Sequence, residues 1–213
     1  MTEHTENSEI SMMKRDPAKW AMLVIDMQKG FVDDNSPVCV AGAKATVPAL
    51  AKTIDAARAR GMRIVWILRK HACDGNDMER FRKERLQACG RLDLFDPSNE
   101  GFELAEGLSI HENDEVVYKT RYSGFVRTEL GELLQKMKIE GVLVCGTQTP
   151  NCVRATAIDA FEYDYETVVP ADCTSSANAS VQQSNLNDME NAGIMIVENA
   201  QEWMAETFDS IEN

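Results

Sequence analysis

The stretch GVLVCGTQTPNCVRATAIDAF, residues 141–161, joins an apolar run to a segment with the character of a helix. Its first six residues, GVLVCG, predict a β-strand. Gly146, two threonines and Pro150 then form a polar loop, and a helix is predicted to begin near Cys152. A strand followed by a loop and a crossover helix is typical of a parallel α/β sheet.

The same alternation of apolar runs and helical segments continues on both sides of this unit. Strands are predicted at residues 20–26, 62–68, 115–119, 141–146, 166–170 and 194–197. Helices are predicted at residues 44–60, 79–88, 125–137, from near 152, 178–191 and 199–207. We therefore expect an α/β protein, a Rossmann-like three-layer α/β/α sandwich with a six-stranded, mainly parallel sheet. Residues 14–213 are expected to form a single domain, and residues 1–13 a flexible N-terminal arm.

The composition limits the partners that the protein can have. In 213 residues, 35 acidic side chains outnumber 22 basic ones and give a net charge of −13. Such a chain is a poor match for nucleic acid or for an anionic membrane surface, so we expect a small molecule as the partner. No apolar run reaches the roughly 18 residues of a membrane span, and the first residues lack the pattern of an export signal. The sequence thus predicts a cytoplasmic protein.

As reduced thiols, the six cysteines fit the predicted cytoplasmic compartment. No two of them have the CxxC spacing, so neither a zinc ribbon nor a thioredoxin motif is indicated. The sequence HACD, residues 71–74, groups a histidine, a cysteine and an aspartate, which are all possible metal ligands. A second cluster that would complete a tetrahedral set does not follow. We therefore expect neither a metal nor another cofactor.

Three polar residues lie at or just beyond the carboxyl ends of predicted strands. Asp26 ends the first strand, Lys119 ends the third, and Cys152 follows the fourth. Taken singly, the aspartate is most simply a loop hydrogen-bonder and the lysine a surface charge. Ligands of open α/β sheets bind at the carboxyl edge of the strands, so the three side chains are predicted to meet there. An acid, a cation and a thiol together can form an activated nucleophile.

The chemistry of such a group follows from the properties of the thiol. A free cysteine has a pKa of about 8.5, so it needs a base and a positive field to react at neutral pH. Asp26 supplies the base and Lys119 the field, and the start of the helix near Cys152 adds partial positive charge. Backbone N–H groups of residues 147–152 would stabilise the oxyanion formed on an amide carbonyl. Water would then hydrolyse the thioester.

The segments LVIDMQKGF, KTRYSGF and VCGTQTPNCVRATAIDAFEYDYETVVPADCTSS resemble the isochorismatase-like cysteine hydrolases. The similarity covers about residues 18–200 and implies that family's hydrolase fold. It also implies a catalytic triad of Asp26, Lys119 and Cys152. In that family a non-proline cis peptide, here Thr147–Gln148, aims the N–H groups of Gln148 and Cys152 at the oxyanion. The resemblance further implies a homo-oligomer, either a dimer or a tetramer.

Departures from the family pattern narrow the expected substrate. Isochorismatase proper has glycine where this chain has Cys152, so the thiol favours amide chemistry. Nicotinamidases carry a metal site with histidines, and residues 44–61 contain none, which disfavours nicotinamide. We expect an amidohydrolase that acts on a small carbamoyl, ureido or carboxamide compound and releases ammonia or an amine. Candidate substrate-binding residues are Phe31, Arg69, His71, Tyr122 and Gln148, although the phenylalanine suits the core equally and the charged residues suit the surface.

Other functions remain open on the sequence alone. The chain could hydrolyse nicotinamide or an isochorismate-type ether, or it could be a catalytically silent relative that binds a small ligand. A redox-sensing protein with an oxidisable Cys152 is a further alternative. Cys145 and Cys173 are expected to pack as small apolar residues, and only geometry decides whether either can pair with Cys152.

Overall fold

The structure, a computed structural model, describes residues 15–209, so the predicted arm at residues 1–13 lies outside the described part. The strands are β1 Trp20–Ile25, β2 Arg63–Arg69, β3 Glu115–Lys119, β4 Gly141–Thr147, β5 Glu166–Pro170, β6 Thr174–Ser175 and β7 Met195–Val197. The α-helices are α1 Lys29–Val32, α2 Ala43–Ala59, α3 Arg80–Ala88, α4 Leu130–Lys136, α5 Arg154–Glu162, α6 Ala179–Asn191 and α7 Ala200–Phe208. A π-helical turn, Thr149–Val153, directly precedes α5.

The strands form one sheet in the order β3-β2-β1-β4-β5-β7, and β6 pairs with β4 beside this path. Every strand pair is parallel. The six predicted strands are all present and the predicted fold is confirmed. The seventh strand, Thr174–Ser175, has only two residues and pairs with the end of β4, too short to give a periodic signal in the sequence.

Helices cover both faces of the sheet. Trp20, Met22 and Val24 of β1 pack with α2 and α7 in one apolar core, while the alternate residues of the strand pack with α4, α5 and α6 in another. All six β1 side chains are buried, which explains the unbroken apolar run in the sequence. Within residues 15–209, no helix combines the length and the apolar character needed to cross a membrane.

The helix predicted at 125–137 begins later than the sequence indicates. It starts at Leu130, because Arg127 has a φ of +60°, which a right-handed helix cannot include. The hydroxyl of Thr128 accepts a hydrogen bond from the Leu130 N–H at 3.3 Å. Val126, predicted on the apolar stripe, is 41% exposed, whereas Leu130 and Leu134 are buried as expected.

The strand order places a crevice between β1 and β4. From β1 the chain winds outward through β2 to β3, and it then returns to β4 on the other side of β1. Ligands of doubly wound sheets bind at such a switch point, beyond the carboxyl ends of the strands. At this point β1 and β4 approach closely: Gly146 has a φ of +110°, and a Cβ there would lie 2.1 Å from the carbonyl oxygen of Ile25.

Candidate active site

Asp26 directly follows β1 at the switch point. Its backbone has a φ of +52°, and its N–H donates to the carbonyl of Ile67 on β2 at 2.9 Å. The side chain is fully buried. A positive φ is uncommon for a residue other than glycine, and such positions cluster at functional sites.

Lys119 is the last residue of β3 and is also buried. Its Nζ donates to Asp26 Oδ2 at 2.7 Å and to the carbonyl of Arg121 at 3.1 Å. Burial lowers the pKa of the lysine, the charge of Arg69 lowers it further, and the carboxylate of Asp26 opposes both effects. The predicted acid and cation therefore form a direct ion pair, although they lie on strands separated by β2.

Cys152 lies in the π-helical turn that leads into α5, and its side chain is buried beside a cavity. The hydroxyl of Thr156 donates to its carbonyl at 2.7 Å. Burial raises the pKa of the Cys152 thiol and the nearby Asp26 carboxylate raises it further, against the lowering effect of Lys119 and Arg69. The resting thiol thus keeps its proton and needs a base within reach.

Arg69 is a fourth member of this cluster. It ends β2, it is fully buried, and its Nη2 donates to Cys152 Sγ at 3.4 Å. The same nitrogen lies 3.7 Å from Asp26 Oδ2. The sequence predicted Arg69 only as a possible substrate-binding residue, because an arginine at a strand end is not by itself a sign of contact with a thiol. Its guanidinium contacts both the predicted base and the predicted nucleophile.

Gln28 holds the backbone of Arg69 in place, and sequence reasoning missed it. Its Oε1 accepts from the Arg69 N–H at 2.7 Å, and its Nε2 donates to the Arg69 carbonyl at 2.9 Å. The same Nε2 donates to the carbonyl of Phe102 at 2.9 Å. The one available signal was an amide two residues beyond Asp26 in the motif IDMQ. This side chain joins the loop after β1 to the end of β2.

A cavity of about 510 Å³ opens beside Cys152. Four of the five predicted substrate-binding residues line it, namely Phe31, Arg69, Tyr122 and Gln148. The ring of Phe31 also stacks on that of Phe95, with centroids 4.5 Å apart. Phe31 therefore belongs to the apolar core and also lines the cavity. The remaining wall comes largely from α3 and the residues around it, within the long irregular excursion after β2.

His71, the fifth candidate, does not line this cavity. Its side chain is buried against Asp77, with Nδ1 3.2 Å from Oδ1, and it borders a separate pocket. Burial lowers the pKa of His71 to about 4, the charge of Arg69 adds to this, and Asp77 partly offsets it. The loop after β2 turns the imidazole away from Cys152, a conformation that no periodic pattern indicates. The structure therefore gives His71 no contact with a substrate in this cavity.

The loop between β4 and Cys152 is fixed by its own contacts and by β6. The peptide bond between Thr147 and Gln148 is cis. Oε1 of Gln148 accepts from Nδ2 of Asn151 at 2.6 Å. On the other side, the hydroxyl of Ser175 donates to that of Thr147 at 3.0 Å, and the hydroxyl of Thr149 donates to the Ser175 carbonyl at 3.0 Å. The short strand β6 thus supports the loop that carries the cysteine.

The other buried thiols lie away from the site. Cys145 and Cys173 belong to the core formed with α2 and α7, whereas Cys152 belongs to the core on the opposite face of the sheet. Burial raises the pKa of Cys145 well above its ordinary value, and Cys173 beside it acts in the same direction. Across the described residues, no group of three or more histidine, cysteine, aspartate and glutamate side chains is arranged to hold a metal ion.

Fold and site together define a doubly wound α/β protein with a buried acid, two cations and a thiol at its switch point. The chain belongs to the isochorismatase family, since residues 20–201 match the family model described as the isochorismatase domain. The resemblance inferred from the three sequence motifs is therefore confirmed.

Similar proteins carry different names within this family. A protein of Arabidopsis thaliana named "Probable inactive nicotinamidase" is 36% identical over 176 residues, which cover 82% of this chain and 89% of that protein. Ureidoacrylate amidohydrolase of Azorhizobium caulinodans is 28% identical over 195 residues and covers 80% and 82%, respectively. The crystal structure of an isochorismatase family protein from Desulfovibrio vulgaris aligns with a TM-score of 0.84 at 38% identity, over 90% of this chain and 99% of that one.

Proposed function

We propose that the protein is a cysteine-dependent amidohydrolase that cleaves the C–N bond of a small carbamoyl, ureido or carboxamide compound through a thioester. One observation carries this proposal. Asp26, Lys119 and Cys152 come from distant parts of the sequence and are all buried at one switch point, beside a cavity large enough for a small molecule. Burying ionisable groups together is costly, and clusters of such groups in a cleft are typical of functional sites.

The reaction begins with transfer of the Cys152 proton to Asp26 as Sγ attacks the amide carbonyl. Asp26 suits this role because Oδ2 accepts from Lys119, whereas Oδ1 has no hydrogen-bond partner among residues 15–209. As the proton leaves, negative charge moves from the carboxylate to the sulfur, and the attack then carries it to the carbonyl oxygen. Lys119 and Arg69 stay charged and stabilise it on the carboxylate and on the sulfur.

The tetrahedral intermediate carries its charge on the former carbonyl oxygen. The N–H groups of Gln148, which precedes the turn Thr149–Val153, and of Cys152, which lies within that turn, are proposed as the donors to this oxyanion. When the intermediate collapses, Asp26 returns its proton to the leaving nitrogen, and ammonia or an amine departs. Asp26 then takes a proton from water, which attacks the thioester. The C–S bond breaks, the acid product leaves, and Asp26 returns the proton to the sulfur of Cys152.

The names of similar proteins support amide chemistry and also raise a second candidate. Ureidoacrylate amidohydrolase acts on an amide by its name, whereas the Arabidopsis protein is named as a probable inactive nicotinamidase. A catalytically silent, ligand-binding relative is therefore the alternative. The complete cluster of acid, lysine and thiol in this chain favours the active enzyme.

Ammonia release from a panel of ureido, carbamoyl and carboxamide compounds tests the proposal. The wild type should turn over at least one of them, Cys152→Ala and Asp26→Asn should lose about three orders of magnitude or more in kcat/KM, and iodoacetamide should inactivate the enzyme. Cys73→Ala is the matched control, because this thiol is exposed and lies outside the cavity. Turnover that survives Cys152→Ala would refute the thiol mechanism. A wild type that binds panel members without hydrolysing any would favour the silent relative.

A further inference from the structure

We infer that the substrate carries a carboxylate, which binds to Arg82 and Arg85 on the wall of the cavity beside Cys152. This inference rests on the proposed function, since it specifies the substrate class for the same site. The first observation that supports it is the charge of the cavity wall. Three arginines and one glutamate line the cavity, although the whole chain has a net charge of −13. An excess of positive charge in an otherwise acidic protein attracts an anion into the cavity.

Arg82 is held in position by two contacts. Its Nε donates to Oε2 of Glu79 at 3.0 Å, and its guanidinium lies 5.2 Å from the centroid of the Tyr122 ring. Glu79 thereby neutralises part of the charge and fixes the fork of the arginine. Tyr122 was predicted as a substrate-binding residue, and in the structure it also supports this arginine.

Arg85 supplies the charge that remains uncompensated. It lies three residues after Arg82 on α3, on the same side of the helix. In the described part of the chain it forms no salt bridge, and its neighbour Glu84 pairs instead with Arg80. Leu86 is buried and anchors α3 against the core, so that Arg82 and Arg85 both line the cavity. Arg80 and Arg85 are both exposed, but Arg80 does not line the cavity.

The inner end of the cavity gives an independent sign that an oxygen-rich ligand belongs there. Nε and Nη1 of Arg69 are buried, and they have no hydrogen-bond partner among the described residues. A buried donor left without an acceptor is costly, and charged donors cost the most. Arg69 lines the same cavity, so a ligand with carbonyl and carboxylate oxygens satisfies donors at both ends. A small amide or ureide with a carboxylate has both groups.

Alkylation of Cys152 by two reagents tests this inference without any turnover. In iodoacetamide and iodoacetate the thiolate attacks the same carbon, an S–C bond forms, and iodide leaves with the electrons of the C–I bond. The reagents differ only in carrying a carboxamide or a carboxylate. Mass spectrometry of the digested full-length protein measures both rates at Cys152, and the exposed Cys73 of the same chain serves as the reference.

We expect the rate ratio of iodoacetate to iodoacetamide to be about tenfold higher at Cys152 than at Cys73. Arg69 also attracts an anion and could raise this ratio by itself. The decisive variant is therefore Arg85→Gln, which should lower the ratio at Cys152 about threefold. Arg80→Gln, on the outer side of the same helix, should leave it unchanged. A ratio that Arg85→Gln does not alter would overturn the inference. The proposed hydrolase could still be active in that case, and its own failure would show separately as an absence of ammonia release.

Discussion

Replacing Arg69 by methionine should make Cys152 a much poorer nucleophile while leaving the ion pair between Asp26 and Lys119 in place. The guanidinium is the only cation with a direct contact to the sulfur among the described residues, with Nη2 3.4 Å from Sγ. Methionine fills a similar volume without charge, so the main change is electrostatic. The pKa of the thiol, which burial already raises, should rise further.

The size of the effect follows from the contact distance. A full unit charge at 3.4 Å from the thiolate is worth about 5 kcal/mol at an effective dielectric constant of about 20. The guanidinium charge is shared among three nitrogens and only one of them is this close, so we take about 2 kcal/mol as the net loss. At neutral pH this corresponds to roughly 30-fold less thiolate. Because a thiolate of higher pKa is also more nucleophilic, the alkylation rate should fall by less, roughly sixfold.

The assay measures the rate of iodoacetamide alkylation of Cys152 at pH 8 by mass spectrometry of the digested protein. Cys73 of the same chain is the internal reference. Arg80→Met is the matched control, because that arginine is exposed on α3 and should change nothing. Circular dichroism confirms that the variants are folded. An alkylation rate of Cys152 in Arg69→Met within about twofold of the wild type would show that the arginine does not stabilise the thiolate.

Three further predictions concern pH dependence and folding. Burial lowers the pKa of Lys119, so kcat/KM should fall on the alkaline side at a pH below the ordinary lysine pKa of about 10.4. In Lys119→Arg this fall should move to higher pH. If it does not move, the fall reports the titration of another group. His71 has a pKa of about 4 when folded and about 6.5 when unfolded, so the unfolded state binds more protons between these values. The free energy of unfolding therefore has its full value above about pH 6.5 and falls towards pH 4, by up to about 3 kcal/mol. Urea unfolding at several pH values should show a shallower pH dependence in His71→Gln than in the wild type, and an equal dependence would contradict this. Gly146→Ala should destabilise the fold by roughly 3 kcal/mol or more, because its Cβ would lie 2.1 Å from a β1 carbonyl oxygen. Gly61→Ala should cost only about 1 kcal/mol, because Gly61 has a φ of +81° but open space around it. Equal unfolding free energies for the two variants would contradict this prediction.

Most of the fold could be predicted because its central strands, β1, β2, β4 and β5, are buried on both faces and read as apolar runs. The predicted strand at 166–170 matches the buried β5 residue for residue, and the one at 115–119 matches the more exposed β3. Buried parallel strands show such runs because neither face meets water. The predicted start of α4 was wrong because Arg127 has a positive φ, which keeps it out of a right-handed helix. An arginine in the sequence gives no sign of such a φ.

The convergence of Asp26, Lys119 and Cys152 was predictable from topology alone, since parallel strands bring their carboxyl ends to one edge. The contact of Arg69 with Cys152 was not, because it joins residues 83 positions apart and depends on the order of the three strands β2, β1 and β4. The residues that form the cavity wall could not be predicted from the sequence either. Helix α3 was predicted within one residue, but the sequence does not indicate that its buried Leu86 faces the core or that Arg82 and Arg85 line the cavity.

The most direct test of the account is the mass of Cys152 during turnover. A substrate found by ammonia release is mixed with the enzyme, the reaction is stopped with acid within the first turnovers, and the protein is digested. The account predicts an added mass equal to the acyl half of the substrate, on the peptide that contains Cys152. Steady turnover with that peptide unmodified at every quench time, or with the acyl group on another residue, would contradict it.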